Sequence, residues 1–178
     1  PLRSGELITV LGYTSNYKSG FMNWLSKQAL KTIERENDDA IVLRVTWEQS
    51  VEEDTISWLA GATNISISKL ARGLIDEGEW KVLQAASIER SITPMWIIGH
   101  SQMERAEKRR ARPRMTMPDV YNAISMIADG EIDNTKHRIR LIVLDYLQRI
   151  RPDPADGESK REQMLEAVNK AKDLALAM

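Results

Sequence analysis

Short apolar runs alternate with helix-like segments along the chain, and this alternation constrains the fold more than any other feature. The strand-like runs cover residues 7–11, 40–47, 95–98 and 139–144. Between and after them, apolar residues recur every three or four positions, which is the spacing of one face of a helix. Apolar strands separated by helices require a mostly parallel sheet with helices on both of its faces. The sequence therefore predicts an α/β fold.

The apolar positions within the helical segments predict which side chains face the core. Thr116, followed three residues later by Asp119, predicts a helix start with a capping box. The expected buried positions are Phe21, Leu25, Ala29 and Ile33 in the first helix, Leu70, Leu74, Trp80, Leu83 and Ile88 in the region 50–92, and Val120, Ile124 and Ile127 after the capping box.

Length and composition exclude several classes of protein. The chain has 178 residues, and a domain runs to roughly 100–200 residues, so we expect a single domain over 1–178. It contains no cysteine, which excludes disulfides, cysteine metal sites and thiol nucleophiles. No apolar run approaches the roughly 18 residues of a membrane span, so we expect a cytoplasmic protein without a membrane partner. The chain begins at the threshold of a strand and stops in or just after a helix, so we expect the domain to be truncated at both ends.

The segment 12–19 lies between the first predicted strand and the first helix and reads GYTSNYKS. A P-loop has the pattern G-x-x-x-x-G-K-[ST] in this position, where backbone N–H groups and the positive end of the helix surround phosphates. Lys18 matches the lysine that reaches the β/γ oxygens, and Ser19 matches the hydroxyl that holds Mg²⁺. The candidate nucleotide-binding residues are Gly12, Thr14, Ser15, Asn16, Tyr17, Lys18, Ser19 and Gly20.

Tyr17 departs from this pattern, which has glycine before the lysine. A side chain there crowds the pocket or requires an altered loop, unless the ring points outward. A β-carbon is costly only where φ is positive, so in that second case the loop survives. The alternative interpretation of the segment is an ordinary strand-to-helix turn whose lysine is solvated.

Two acidic residues close later strands: Glu48 follows the run 40–47, and Asp145 follows the run 139–144. A nucleotide site of this class needs an aspartate at a strand tip to organise Mg²⁺ and a carboxylate to orient or deprotonate the attacking water. In open α/β sheets, ligands bind outside the carboxyl ends of the strands. Many strands end in an acid, but Lys/Ser, Glu and Asp in this order at three strand ends together indicate a nucleotide site.

The string Asp-Tyr-Leu-Gln at 145–148, after an apolar strand, resembles the Walker B segment of DnaB-type replicative helicases, a branch of the RecA-like ATPases. The segments 5–8, 46–48, 72–80 and 158–176 are similar to other parts of that family, so the resemblance covers nearly the whole chain. It implies a RecA-like P-loop NTPase core that hydrolyses ATP with Mg²⁺ and moves along single-stranded DNA as a homo-hexamer.

Carried over by position, the resemblance implies that Lys18 and Ser19 bind phosphate and Mg²⁺, that Glu48 is the general base and that Asp145 is the Mg²⁺ partner. Tyr17 favours an alternative, namely a non-hydrolysing nucleotide- or DNA-binding scaffold with a RecA-like fold and a degenerate P-loop. A recombinase or clock-type RecA relative shares the fold but gives no reason for the string at 145–148.

The net charge of -1 conceals a local basic site, because residues 105–114 carry +5 and the rest of the chain carries -6. A basic run of this kind neutralises several phosphates and predicts salt-dependent, sequence-independent binding of DNA. The alternative is a solvated loop or a contact to an acidic neighbouring subunit. The resemblance implies a rival DNA site after Walker B, facing the central channel of the ring. The candidate DNA-binding residues are Arg109, Arg110 and Arg112 in the basic run, and Arg151, Lys160 and Arg161 after Walker B.

Overall fold

The computed structural model describes residues 3–12, 17–46, 49–99, 116–145 and 160–177. Helices and strands alternate over these residues, which confirms the predicted α/β architecture. In chain order the elements are α1 (Lys18–Glu36), β1 (Ile41–Thr46), α2 (Val51–Thr63), α3 (Ile67–Arg72), α4 (Glu77–Ile92), β2 (Met95–Ile98), α5 (Met117–Ala128), β3 (Ile139–Asp145) and α6 (Lys160–Ala177).

The described strands form one parallel sheet in the order β2-β1-β3. β1 lies at its centre, and all six of its residues are buried. At the carboxyl end of the sheet, Thr46 is paired in register with Asp145 of β3. Strand β1 is mostly apolar, with Arg44 and Thr46 as its polar residues, because helices cover both faces of the sheet.

The two faces of β1 supply two hydrophobic cores. Ile41, Leu43 and Val45 point to the side covered by α5 and α6. Val42 points to the opposite side, where it packs with Ile33 of α1. The alternation follows from the two-residue period of a strand. The predicted inner stripe of α5 is confirmed, because Val120, Ile124 and Ile127 are all at most 3% exposed.

The predicted first strand, 7–11, is wrong in the structure, which has irregular backbone there. Leu11 is 84% exposed and Ile8 is 52% exposed. Gly5, just before this segment, accepts a hydrogen bond from Lys172 of α6 through its carbonyl oxygen, at 2.6 Å. An apolar run becomes a strand only when a neighbouring strand offers a ladder of hydrogen bonds, and no described strand pairs with this run.

The anchors predicted in the region 50–92 are also largely wrong, since neither α3 nor α4 contains a buried residue. Leu74, Trp80 and Ile88 are 61%, 51% and 67% exposed. α4 packs mainly on α2 and reaches the sheet through Arg90, which bonds the carbonyl of Met95, so its periodic apolar face is left partly open. The predicted capping box at Thr116 and Asp119 is confirmed, with both reciprocal hydrogen bonds present.

Candidate functional site

The direction of α1 places its first turn at the carboxyl ends of the strands. At the last turn, Glu36 lies 2.7 Å from the guanidinium of Arg140, near the start of β3. Near the first turn, Asn23 accepts a hydrogen bond from Arg44, the fourth residue of β1. α1 therefore runs antiparallel to the strands, and the helix start that carries Lys18 lies at the edge where α/β sheets bind ligands.

Ser19 and Asp145 both lie toward the carboxyl ends of the strands. Ser19 precedes Asn23 by four residues, which is about 6 Å along a helix axis. Asp145 follows Val143, the register partner of Arg44, by two residues, or about 7 Å along a strand. Because partnered residues of a parallel sheet point to one face, Asp145 shares the face of Arg44, which α1 covers. Ser19 and Asp145 therefore belong to the same face and the same end of the sheet.

The predicted phosphate lysine contacts its own loop. The Nζ of Lys18 donates a hydrogen bond to the carbonyl oxygen of Gly12 at 2.7 Å. Ser19 is partly buried beside it, and Gly20 is exposed in the first turn of α1. The loop that holds Gly12 therefore lies close to the start of the helix, as a loop around phosphates requires.

Tyr17 immediately precedes α1 and has left-handed backbone, with φ 53° and ψ 24°. The other described residues with positive φ are asparagines and glycines, namely Asn37, Asn64, Asn134, Gly5, Gly73 and Gly130. A left-handed residue with a β-carbon costs roughly 1–2 kcal/mol. The ring is 88% exposed, so it is not packed against the described residues. Residue 17 therefore has a backbone conformation that suits glycine, but it is a tyrosine, which is strained in that conformation.

The start of α1 also differs from other helix starts in its chemistry. Ser50, Asp76 and Thr116 close capping boxes at α2, α4 and α5. Tyr17 offers no side-chain cap, and the first turn of α1 contains no acidic residue. The first N–H groups of a helix need an acceptor and favour an anion, so this start suits a phosphate better than the capped ones do.

A buried charged cluster lies under this edge, and the sequence interpretation missed it. Arg44 Nη2 lies 2.8 Å from Asp54 Oδ1, with side chains only 3% and 2% exposed. Arg90 joins the cluster, packs over the ring of Trp58 at 5.7 Å and donates to the carbonyl of Met95 at 3.2 Å. The signal in the sequence was a charged residue inside an otherwise apolar strand, which needs a buried partner.

The cluster is electrostatically linked to the candidate site. Burial raises the pKa of the Asp54 carboxyl above its ordinary value, and the neighbouring guanidinium of Arg44 opposes the rise. The negative charge of Asp145 adds to the increase in the pKa of Asp54. Burial also lowers the pKa of the Arg90 guanidinium. The charge of Asp145 therefore acts on the Asp54 carboxyl, which links the cluster to the candidate site.

The remaining predicted site residues lie on another element or outside the described ranges. Arg161 is exposed in the first turn of α6, and Lys160 begins that helix. Around the start of α1 lie Gly12, Tyr17, Lys18, Ser19 and Gly20, and Asp145 ends β3 at the carboxyl end of the sheet. The predicted residues outside the described ranges are Thr14, Ser15, Asn16, Glu48, Arg109, Arg110, Arg112 and Arg151.

The donor groups that are described suit a Mg²⁺–phosphate group. Hydroxyl and carboxylate oxygens, as on Ser19 and Asp145, are the hard ligands that Mg²⁺ prefers. The ammonium of Lys18 and the N–H groups at the start of α1 suit phosphate oxygens.

None of the helices in the described ranges is long and apolar enough to span a bilayer.

Comparisons with known proteins identify relatives of this arrangement. The family described as DnaB-like helicase C terminal domain matches residues 2–178. A solved structure described as an ATPase domain has a TM-score of 0.64 and 19% sequence identity, over 89% of this chain and 49% of that one. A DnaB-like replicative helicase, described with its interactions with primase, has a TM-score of 0.63 and 19% identity, over 90% of this chain and 34% of that one.

The chain thus spans about half the length of the first of these structures and about a third of the second. At such low identity the structural likeness concerns the fold, which is that of RecA-like helicase domains. Comparison with curated protein sequences found no significant match.

Proposed function

The chain belongs to the DnaB-like helicase C-terminal domain family, and from this premise we propose that it binds and hydrolyses ATP with Mg²⁺ to drive movement along single-stranded DNA. In the proposal the working form is a homo-hexameric ring, because phosphoryl transfer of this class uses an arginine that a neighbouring subunit can supply. Family membership makes it a helicase-like ATPase domain; the substrate, the movement and the ring are the proposed parts.

One observation carries the proposal. Lys18 and Ser19 open a helix that starts at the carboxyl edge of the sheet, and Asp145 ends the strand that faces this helix. A phosphate-binding helix start beside a strand-end aspartate is the arrangement that P-loop NTPases use for a nucleotide and its metal. The uncapped start of α1 supports the same conclusion.

Lys18, Ser19 and Asp145 each have a role in the proposal. Lys18 exchanges its bond to Gly12 for a charge-assisted bond to phosphate oxygens, which is the stronger of the two. Ser19 and Asp145 hold Mg²⁺, directly or through its waters. When bound, Mg²⁺ supplies a Lewis acid that offsets charge on the phosphate oxygens.

The remaining roles fall on residues supported by the sequence and the family alone. Glu48 is proposed to orient and deprotonate the attacking water. Arg161, exposed on α6, and Lys160 and Arg151 are proposed to contact the DNA backbone, as are Arg109, Arg110 and Arg112. Contacts of this kind give salt-dependent binding without sequence preference.

The deciding experiment measures binding of a fluorescent ATP analogue and hydrolysis of ATP, for the protein and three variants. Lys18→Ala should weaken binding about tenfold or more, because a charge-assisted bond to phosphate is lost. Asp145→Asn should keep nucleotide binding but lose its response to Mg²⁺ and lose hydrolysis. Lys31→Ala, on an exposed lysine of the same helix, is the matched control and should change neither. Unchanged binding in Lys18→Ala would contradict the proposal.

Tyr17 favours a second candidate, the non-hydrolysing RecA-like scaffold. Its left-handed backbone carries a tyrosine where the P-loop pattern has glycine, and Lys18 already has an acceptor within the loop. Nucleotide binding without hydrolysis in the assembled protein would support the scaffold. An absence of binding that Tyr17→Gly restores would exclude the enzyme and identify Tyr17 as the cause.

A further inference from the structure

Arg44 is a buried cation at the centre of the sheet. It lies on β1 between Ile97 of β2 and Val143 of β3, its partners in register, and is only 2% exposed. Central strands of parallel sheets are buried on both faces and are therefore nearly always apolar. Burial of a charge is costly even when it is paired, so Arg44 needs an explanation beyond packing.

Stability alone does not provide this explanation. Arg44 is paired with Asp54 at 2.8 Å, but Asp54 Oδ2 and Arg90 Nε are buried without a hydrogen-bond partner among the described residues. A partly satisfied buried polar network stabilises a protein less than an apolar core of similar shape. Buried polar groups that do not optimise stability are common where function constrains the structure.

The contacts of Arg44 indicate what this constraint is. One nitrogen of its guanidinium is held by Asp54, in the first turn of α2, and the other donates to Asn23 of α1. Asn23 lies one turn after Ser19. Arg44 thus joins β1 to α2 and to the beginning of α1, close to the carboxyl end of the sheet where β3 ends at Asp145.

A second arginine makes the corresponding link at the far end of α1. Arg140 of β3 binds Glu36 at 2.7 Å and Asp38 at 2.8 Å. It is an exposed link, since its side chain is 32% accessible, compared with 3% for Arg44. The two arginines therefore tie the same helix to the sheet at opposite ends, and only Arg44 lies near the candidate site.

We infer that Arg44, held by Asp54 and bonded to Asn23, is a positioning residue that sets the start of α1 against the strand end carrying Asp145. The inference rests on the proposed function, because the site that Arg44 positions is the proposed phosphate site. A planar guanidinium with two anchored nitrogens defines orientation as well as distance, which a lysine at the same place would not do. Displacement of catalytic groups by about 1 Å costs up to about 100-fold in rate, so such a link is consequential.

Three variants and a control test the inference. Asn23→Leu removes only the bond to α1, whereas Asn23→Asp keeps an acceptor for Arg44. The double variant Arg44→Met with Asp54→Leu replaces the ion pair by apolar groups of similar volume, a change that generally preserves folding. Arg140→Met is the control, because it removes the link at the other end of the same helix. Circular dichroism and thermal midpoints establish that each variant folds.

Two measurements are made on the folded proteins: the Kd for a fluorescent ADP analogue with Mg²⁺, and amide hydrogen exchange of residues 18–24 without any ligand. Asn23→Leu and the double variant should raise the Kd about tenfold or more and speed exchange at the start of α1. Asn23→Asp and Arg140→Met should stay within about twofold of the parent in Kd. A general loss of stability would not spare Asn23→Asp selectively.

The outcomes separate this inference from the proposed function. If the parent binds no nucleotide, the proposed function fails, and exchange at residues 18–24 still decides whether Arg44 positions the helix. If Asn23→Leu and the double variant match the parent in exchange, or in Kd where the parent binds, Arg44 is not a positioning residue. Equal weakening in Asn23→Leu and Asn23→Asp would also overturn the inference, because the acceptor would then be irrelevant.

Discussion

The Nζ of Lys18 lies 2.7 Å from the carbonyl oxygen of Gly12, six residues earlier in the chain. The ammonium of Lys18, at the start of α1, thus binds the backbone of Gly12, and a bound phosphate would replace Gly12 as the acceptor of this hydrogen bond. A charged phosphate is a better acceptor than a neutral carbonyl, so the exchange is favourable. Tyr17, with its left-handed backbone, lies between these two residues in the chain.

Tyr17→Gly should stabilise the protein by about 1 kcal/mol, because glycine adopts positive φ without the steric cost that tyrosine bears. The ring is 88% exposed, so its removal forfeits little burial. Tyr121→Gly is the matched control, since Tyr121 is also exposed, at 44%, but lies within α5. That change should destabilise by about 0.5–1 kcal/mol, as glycine does inside helices. Chemical denaturation of both variants measures the difference, and the same sign in both would contradict the left-handed backbone at residue 17.

Ile124→Ala should destabilise the protein by about 2–5 kcal/mol, because it leaves a cavity in the core under α5. Ile124 is fully buried, whereas Ile88 of α4 is 67% exposed. Ile88→Ala should therefore change the free energy of unfolding by no more than about 0.5 kcal/mol. Urea unfolding of the two variants checks the comparison. A large cost for Ile88→Ala would mean that α4 is covered by something outside the described residues.

Asp38→Asn should reduce the stability of the protein near neutral pH. It should also make stability fall less steeply as the pH is lowered into the acid range. The side-chain hydrogen bond from Arg138 holds the pKa of the Asp38 carboxyl below its ordinary value, with help from Arg140. The folded state therefore binds this proton less readily than the unfolded state does, so stability rises with pH through this range. The contribution is fully present above the ordinary pKa near 3.8 and is lost as pH falls through the lowered one.

The matched control is Asp39→Asn, because the side chain of Asp39 is 96% exposed and only approaches Arg138 at 4.0 Å. Thermal midpoints measured from about pH 6 to pH 2 should show a shallower acid decline for Asp38→Asn and an unchanged one for Asp39→Asn. Identical profiles for the two variants would show that the ion pair with Arg138 does not form in solution.

Alanine substitution of Arg109, Arg110 and Arg112 should weaken binding of single-stranded DNA and flatten its dependence on salt. Each phosphate contact on a single strand contributes about 0.7 to the slope of log K against log salt, so loss of all three should reduce the slope by about 2. Arg161→Ala, on the exposed start of α6, tests the rival site by the same measurement. An unchanged slope in the triple variant would remove the basic run from the DNA path.

The alternation of apolar runs and helices was sufficient to predict the α/β fold and the strands β1, β2 and β3. These elements are encoded locally, because an amphipathic helix and a buried strand each have their own period. The capping box at Thr116 was predictable for the same reason, since its two partners lie three residues apart. The family was also recognisable, through the string at 145–148 that ends β3.

The segment 7–11 and the helix α4 show where local patterns fail. Both have apolar residues at suitable spacing, but burial depends on which element packs against them. The run at 7–11 pairs with no described strand, and α4 packs mainly on α2. Which element packs against a given segment depends on the fold of the whole chain, so a short window of sequence does not predict it.

By itself the sequence determined which residue types stand at the strand ends and therefore what chemistry the chain is able to support. Only the tertiary structure decided that α1 runs antiparallel to the strands, so that Ser19 and Asp145 both lie toward the carboxyl end of the sheet. It also decided that Arg44, Asp54 and Asn23 meet near that end. A buried charge has to find its partner in space, and the partners of Arg44 lie ten and twenty-one residues away on different helices.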